Sequence, residues 1–208
     1  MGKQKRGNLL GTVGNTVYYE MWGENYVRSK PKRGSRRKST LKQKVQQMKM
    51  SLVSPFLKKW LEVIRISFKT ENPKVSGYNA ARSDMLLHAI DGEYPDLKID
   101  FSKVKMSIDP ESGIQHIDAL ATTEQIHLDI TWKDFWPKHG ATLYVVCYNE
   151  DKNQHHILGP HTCSNPESID ISWDSLEKEN RSYHCWAMLF QPLGTHFYGS
   201  HYFKCEVK

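Results

Sequence analysis

The sequence predicts an α+β chain: an N-terminal β-hairpin, a basic linker and a three-helix segment, followed by an antiparallel β-sandwich. Three observations lead there. Near the start, β-branched and aromatic residues flank a turn containing Gly23 and Asn25. From Leu41 to Ile90, apolar residues recur at helical spacing. Beyond Ser112, about seven short runs alternate with a period of two, the rhythm of a sandwich.

Taken in order, residues 1–15 read as a flexible basic lead, with Gly2, Gly7, Gly11 and Gly14 among its basic residues. Thr16 to Ser29 reads as the hairpin, turning near Trp22-Gly23-Glu24-Asn25, with Val17, Tyr19 and Met21 on one face and Tyr18 on the other. Ser29 to Ser39 is a linker, because Pro31 and Gly34 interrupt a helix and like charges extend the chain. Leu41, Val45, Met48 and Leu52 form the stripe of a first helix, capped by Ser39 or Thr40. Ser54-Pro55 has the form of an N-cap with proline at the first helical position, so a second helix is expected there. Its buried face is Phe56, Leu57, Trp60, Leu61, Ile64 and Phe68, and Asn72-Pro73 ends it. A third helix runs from about Gly77 to Ile90, using Tyr78, Ala81, Met85 and Leu86. Hairpin, linker and helices make one domain, residues 16–93, with a core shared by helices and hairpin.

Residues 94–111 read as connecting strands, from the alternation of Leu97-Ile99-Phe101 and of Val104-Met106-Ile108. The sandwich occupies 112–208. Ile126, Leu128, Ile130 and Trp132 line one face of one of its strands, and Tyr183, Cys185, Ala187 and Leu189 line a face of another.

Charge divides the chain as sharply as pattern does. Residues 1–50 hold thirteen Lys/Arg against Glu20 and Glu24, a net of +11, while the remainder is at −5. The cations concentrate between Tyr26 and Lys44, where Arg28, Lys30, Lys32, Arg33, Arg36, Arg37, Lys38, Lys42 and Lys44 stand without one acidic residue. Uncompensated positive charge beside rings that can stack is what a polyanion binder needs. These nine residues are the candidate nucleic-acid or polyanion contacts, and Tyr18, Trp22 and Tyr26 are candidates for stacking on unpaired bases. No arrangement offers readout of base edges, so RNA, DNA and an acidic protein surface all remain open as partners.

Other chemistries find less support. The sequence holds no G-x-S-x-G, H-E-x-x-H, Walker or G-x-G-x-x-G motif, and its carboxylates form no acid/base pair at a recognisable spacing, so a non-enzyme without cofactor is expected. His155, His156, His161 and Cys163 are zinc-ligand types, but Gly159-Pro160 lies between them and their spacing matches no finger, so no metal site is assigned. Cys147, Cys163, Cys185 and Cys205 are widely spaced, and the N-terminus lacks the apolar core of an export signal. Thiols and a cytoplasmic location follow as expectations. No stretch approaches the ~18 uncharged apolar residues of a membrane span.

Several short motifs in one order carry a resemblance. They are Gly11 to Gly14 with Val17, the run Tyr26-Val27-Arg28-Ser29-Lys30-Pro31-Lys32, the helical stretch Leu41 to Phe68, Gly77 to Ala81, and Gly92-Glu93-Tyr94-Pro95. Over about residues 7–108 the chain thereby resembles a family of uncharacterised proteins from Bacteroidota. The resemblance implies a helical front followed by a β-sandwich, and carries no activity with it. Leu176 followed by Tyr183 looks like the tyrosine corner of immunoglobulin-like and fibronectin type III domains, so the sandwich is expected to be immunoglobulin-like. The expected function is a binding protein whose basic arm contacts nucleic acid while the sandwich, with Trp132, Trp136, Trp173 and Trp186, contacts protein. The alternative is a structural or assembly component, of a phage particle or a cell-surface array, whose arm docks on an acidic partner.

Overall fold

The computed structural model describes residues 2–5, 8–31, 38–70, 72, 74–122, 124–133, 141–163, 167–172, 181–191 and 196–207. The chain forms two compact units, Met1–Leu41 and Lys42–Lys208.

The first unit is a four-stranded antiparallel meander of β1 (Gly2–Lys5), β2 (Asn8–Val13), β3 (Thr16–Met21) and β4 (Glu24–Ser29), in that order. The expected hairpin is β3–β4. Its turn is the pair Trp22-Gly23, both at positive φ (54° and 79°), which matches the right-handed twist of the flanking strands. The stretch expected as a flexible lead is instead the other half of the sheet. Its glycines supply backbone conformations that a side chain would resist: Gly11 at φ 108° opposite Tyr18, and Gly14 at φ 59° where β2 turns into β3.

In the second unit α1 (Leu41–Lys59) runs straight through Pro55, and α2 (Leu61–Ser67) follows after a break at Trp60. The boundary expected at Ser54-Pro55 is therefore displaced. Proline inside a helix costs about 3 kcal/mol. Continuity through it keeps Val53, Phe56, Leu57 and Trp60 buried, and each such side chain contributes about 1.5–3 kcal/mol. Packing outweighs the local break. Helix α2 also ends at Ser67, before the expected stop at Asn72-Pro73, and Pro73 lies outside the described residues. Helix α3 (Gly77–His88) begins where the Ser76 hydroxyl accepts a bond from the Asn79 N–H at 3.3 Å. It approaches α2 closely, since a Cβ on Gly77 would lie 2.8 Å from the Ile64 carbonyl oxygen.

Two-residue strands β5 (Ile90–Asp91) and β6 (Lys98–Ile99) pair with each other. Beyond them the expected connecting strands give way to a 3-10 turn over Phe101–Lys103 and a bent segment over 104–108. Asp100 caps the turn, accepting from the Ser102 N–H at 3.1 Å and its hydroxyl at 2.6 Å. Val104 and Met106 are nevertheless buried, so the alternation reports burial of an irregular segment rather than a ladder.

The remaining strands are β7 (Ile114–Ala121), β8 (Gln125–Trp132), β9 (Thr142–Asn149), β10 (Gln154–Thr162), β11 (Glu167–Ser172), β12 (Arg181–Gln191), β13 (His196–Phe197) and β14 (His201–Val207). Their order is β10-β9-β12-β14-β7-β8-β11, with β13 paired to β12. Every pair is antiparallel except β14–β7, which meets at Val207 and Ala121. Strands β13 and β14 are separated around Gly199. There the backbone passes so close to residues 109–112 that a Cβ would lie 2.7 Å from the Asp109 carbonyl oxygen.

Strands β9 and β12 bury both faces, which is why LYVVCY and CWAMLF read as nearly unbroken apolar runs. Leu143, Val145, Cys147, Cys185, Ala187 and Leu189 enter one core with Ile126 and Leu128 of β8. Val146, Tyr148, Trp186 and Met188 enter a second core with Phe56, Trp60, Ile64, Phe68 and Met85 of the helices. The helices thus find their apolar partner in the sheet, and the compact unit that holds them extends to Lys208. Trp186 is wholly buried there, its indole N–H donating to the Val104 carbonyl at 2.9 Å. Among the described residues, no helix is long and apolar enough to cross a membrane.

Candidate nucleic-acid interface

The two-residue turn fixes the register of β3 against β4, and the register decides which rings meet. Tyr19 stands directly opposite Tyr26, and their rings stack with centroids 5.5 Å apart and planes 19° from parallel. Val17 stands opposite Arg28, whose guanidinium lies 5.8 Å from the centre of the Tyr19 ring, within the range of a cation–π contact. Directly opposed residues share a face, so Tyr19, Tyr26 and Arg28 form a single aromatic and cationic surface. The Tyr26 hydroxyl donates to the Glu24 carboxylate at 2.7 Å, and that bond raises the phenol above its usual pKa.

The three residues expected to stack on bases are not brought together. Tyr26 belongs to the surface just described. Tyr18 pairs with Val27 on the opposite face, and Trp22 occupies the turn, 55% exposed. The ring beside Tyr26 is Tyr19, which the sequence placed with Val17 and Met21 on the face away from Tyr18. The signal was present in Trp22-Gly23: a two-residue turn there places Tyr19 across from Tyr26.

Among the cations, Arg28 lies on β4. Lys30 extends the pairing, its N–H donating to the Asn15 carbonyl at 2.7 Å. Lys30, Lys38, Lys42 and Lys44 are exposed. Lys42 and Lys44 lie in the first turn of α1, which has no acidic residue, so their charge adds to the positive end of the helix dipole. Lys32, Arg33, Arg36 and Arg37 lie outside the described residues, as do Trp136, Trp173 and Leu176.

The histidines of β10 are dispersed by strand alternation. His155 sets its ring edge-on to Trp60 at 5.2 Å, and burial, then Lys59, lowers its pKa. His156 faces Tyr183 at 6.2 Å. His161 and Cys163 are half-buried near one another, the Cys163 sulfur 3.9 Å from the His161 carbonyl oxygen. Among the described residues, no three His, Cys, Asp or Glu are placed to hold a metal ion. The four cysteines are unbridged, and burial pushes the Cys205 thiol up to about 12. One polar cluster escaped sequence reasoning: His127 meets Asp170 at 2.6 Å and Asp129 at 3.4 Å, and the Asp170 bond raises its pKa. Alternation placed His127 and Asp129 on one face of β8, but only the β8–β11 register adds Asp170.

Residues 4–153 match the model of a family of unknown function (DUF6266). No curated protein matches the chain.

Proposed function

We propose that this chain, which belongs to that family of unknown function, is a non-enzymatic, cytoplasmic binding protein that holds nucleic acid with its basic N-terminal arm. One observation carries the reading: nine cations without an acidic neighbour between Tyr26 and Lys44, continuing from the surface of Tyr19, Tyr26 and Arg28. Rings of this kind stack on unpaired bases whatever their identity, and guanidinium and ammonium groups neutralise phosphates. Selectivity between sequences is low, because these contacts address backbone and ring faces. The C-terminal strands form an immunoglobulin-like, fibronectin type III-like sandwich that contacts protein. The strand order β10-β9-β12-β14 beside β7-β8-β11, the parallel β14–β7 link and the shared core support that reading.

A second reading, an assembly component whose arm docks on an acidic protein, is favoured by the other face of the first sheet. There Val13 and Val27 are 48% and 62% exposed beside Tyr18, as on a surface awaiting a protein layer.

Gel retardation separates the two. The protein is expected to retard generic RNA and duplex DNA at low salt, with log K falling at a slope of about −5 against log salt. The triple change Arg36→Ala, Arg37→Ala, Lys38→Ala weakens retardation of all sequences alike and makes the slope shallower by about 2 to 3. Unchanged retardation in that variant removes the arm from the mechanism. Oligomers that persist in high salt after nuclease treatment favour assembly instead.

A further inference from the structure

A cleft of about 390 Å³ lies between α3 and residues 105–108, and its lining shares no residue with the candidate interface. Its rim gathers apolar side chains left in contact with water: Val75, Leu87 and Ile108 are 38%, 74% and 45% exposed. Its lining includes Ser107, whose hydroxyl is wholly buried and has no hydrogen-bond partner among the described residues. The Ser67 hydroxyl is in the same condition, and the Ser67 carbonyl accepts from the Ile108 N–H at 3.1 Å. Both hydroxyls are closed off from solvent, so a guest is held by groups nearer the mouth.

The charges at the mouth indicate what kind of head group enters. Asp84 has Lys105 at 3.9 Å and His88 at 4.0 Å, both beyond hydrogen-bond reach. The Asn79 side-chain oxygen already accepts from Arg82 at 3.0 Å, so toward a guest Asn79 offers its N–H groups. With the Lys105 ammonium and the Ser83 hydroxyl, donors outnumber the single carboxylate. The geometry points to a binding site for a small amphipathic carboxylate, its aliphatic body against Val75, Leu87 and Ile108 and its head at Lys105, Ser83 and Asn79. The volume is within the ~300–1,000 Å³ range of small-molecule sites.

The test is a nuclear magnetic resonance titration of full-length, 15N-labelled protein with octanoate and, separately, octylammonium. Octanoate shifts the amides of Ser83, Leu87, Lys105 and Ile108 saturably, and octylammonium binds about tenfold more weakly. Lys105→Gln, a change at a half-exposed side chain, weakens octanoate about tenfold without changing the fold, as the other amides report. Leu87→Asp, also at the surface, abolishes the saturable shifts. Equal affinity for the two probes, shifts that rise without saturating, or a Lys105→Gln variant that binds octanoate normally would each overturn the assignment.

Discussion

Asp100 shows how much local chemistry one side chain can hold in a short stretch. Bonds from Ser102, then from Lys103, bring its carboxyl from the ordinary 3.8 down to about 2, with the Lys103 ammonium 2.9 Å away. A carboxylate whose pKa is lower when folded stabilises the native state fully above 3.8, and that contribution disappears as pH falls toward 2. Asp100→Ala is therefore expected to lower stability at pH 7 by about 1 kcal/mol, the usual worth of a cap. Urea unfolding at several pH values checks it: the difference from the unchanged protein should shrink between pH 4 and pH 2. Single residues such as this were legible only in part. The burial of Tyr183 follows from residue type and spacing. The Tyr19–Tyr26 stack depends on a register that a one-residue shift in the turn would undo.

At the scale of elements, α1 is the informative case. Pro55 sits on its exposed side while Val53, Phe56 and Leu57 are buried. Replacing the proline restores an N–H for the Ser51 carbonyl and relieves the ring's crowding against the preceding turn. Pro55→Ala is expected to stabilise the protein by about 1–3 kcal/mol, read as a higher urea midpoint with unchanged m-value. A lower midpoint would mean that the proline has a packing role of its own. Sequence placed all three helical stretches, and named most of their buried residues, because the apolar spacing there is dense. It misplaced boundaries wherever tertiary packing opposed a local signal: Pro55 continued a helix, Gly11 and Gly14 served strands, and Val104 and Met106 were buried from a bent segment. It did not pair the helices with the sheet. Nothing in a one-dimensional pattern says that the second apolar face of β9 and β12 is the surface they cover.

At the scale of the whole molecule, both apolar cores lie within Lys42–Lys208. A chain beginning at Lys42 is accordingly expected to unfold cooperatively, with a midpoint within about 4 °C of the full protein. It should no longer retard RNA or DNA, because most of the uncompensated cations are gone. Circular dichroism melting and gel retardation of the same preparation test both halves. Retained retardation would relocate the polyanion contact to the larger unit.

The position of β12 between β9 and β14 has a consequence for synthesis. Strand β9 is made well before its neighbour, and Trp186, Met188 and Phe197, which close over Phe56 and Trp60, belong to the last quarter of the chain. As the polypeptide leaves the ribosome, its helices must therefore wait, greasy side outward, until the closing strands emerge. A translation product halted at residue 153, where the family match stops, would carry the front of the protein with no lid for it, a species for chaperones to hold rather than a domain that stands alone.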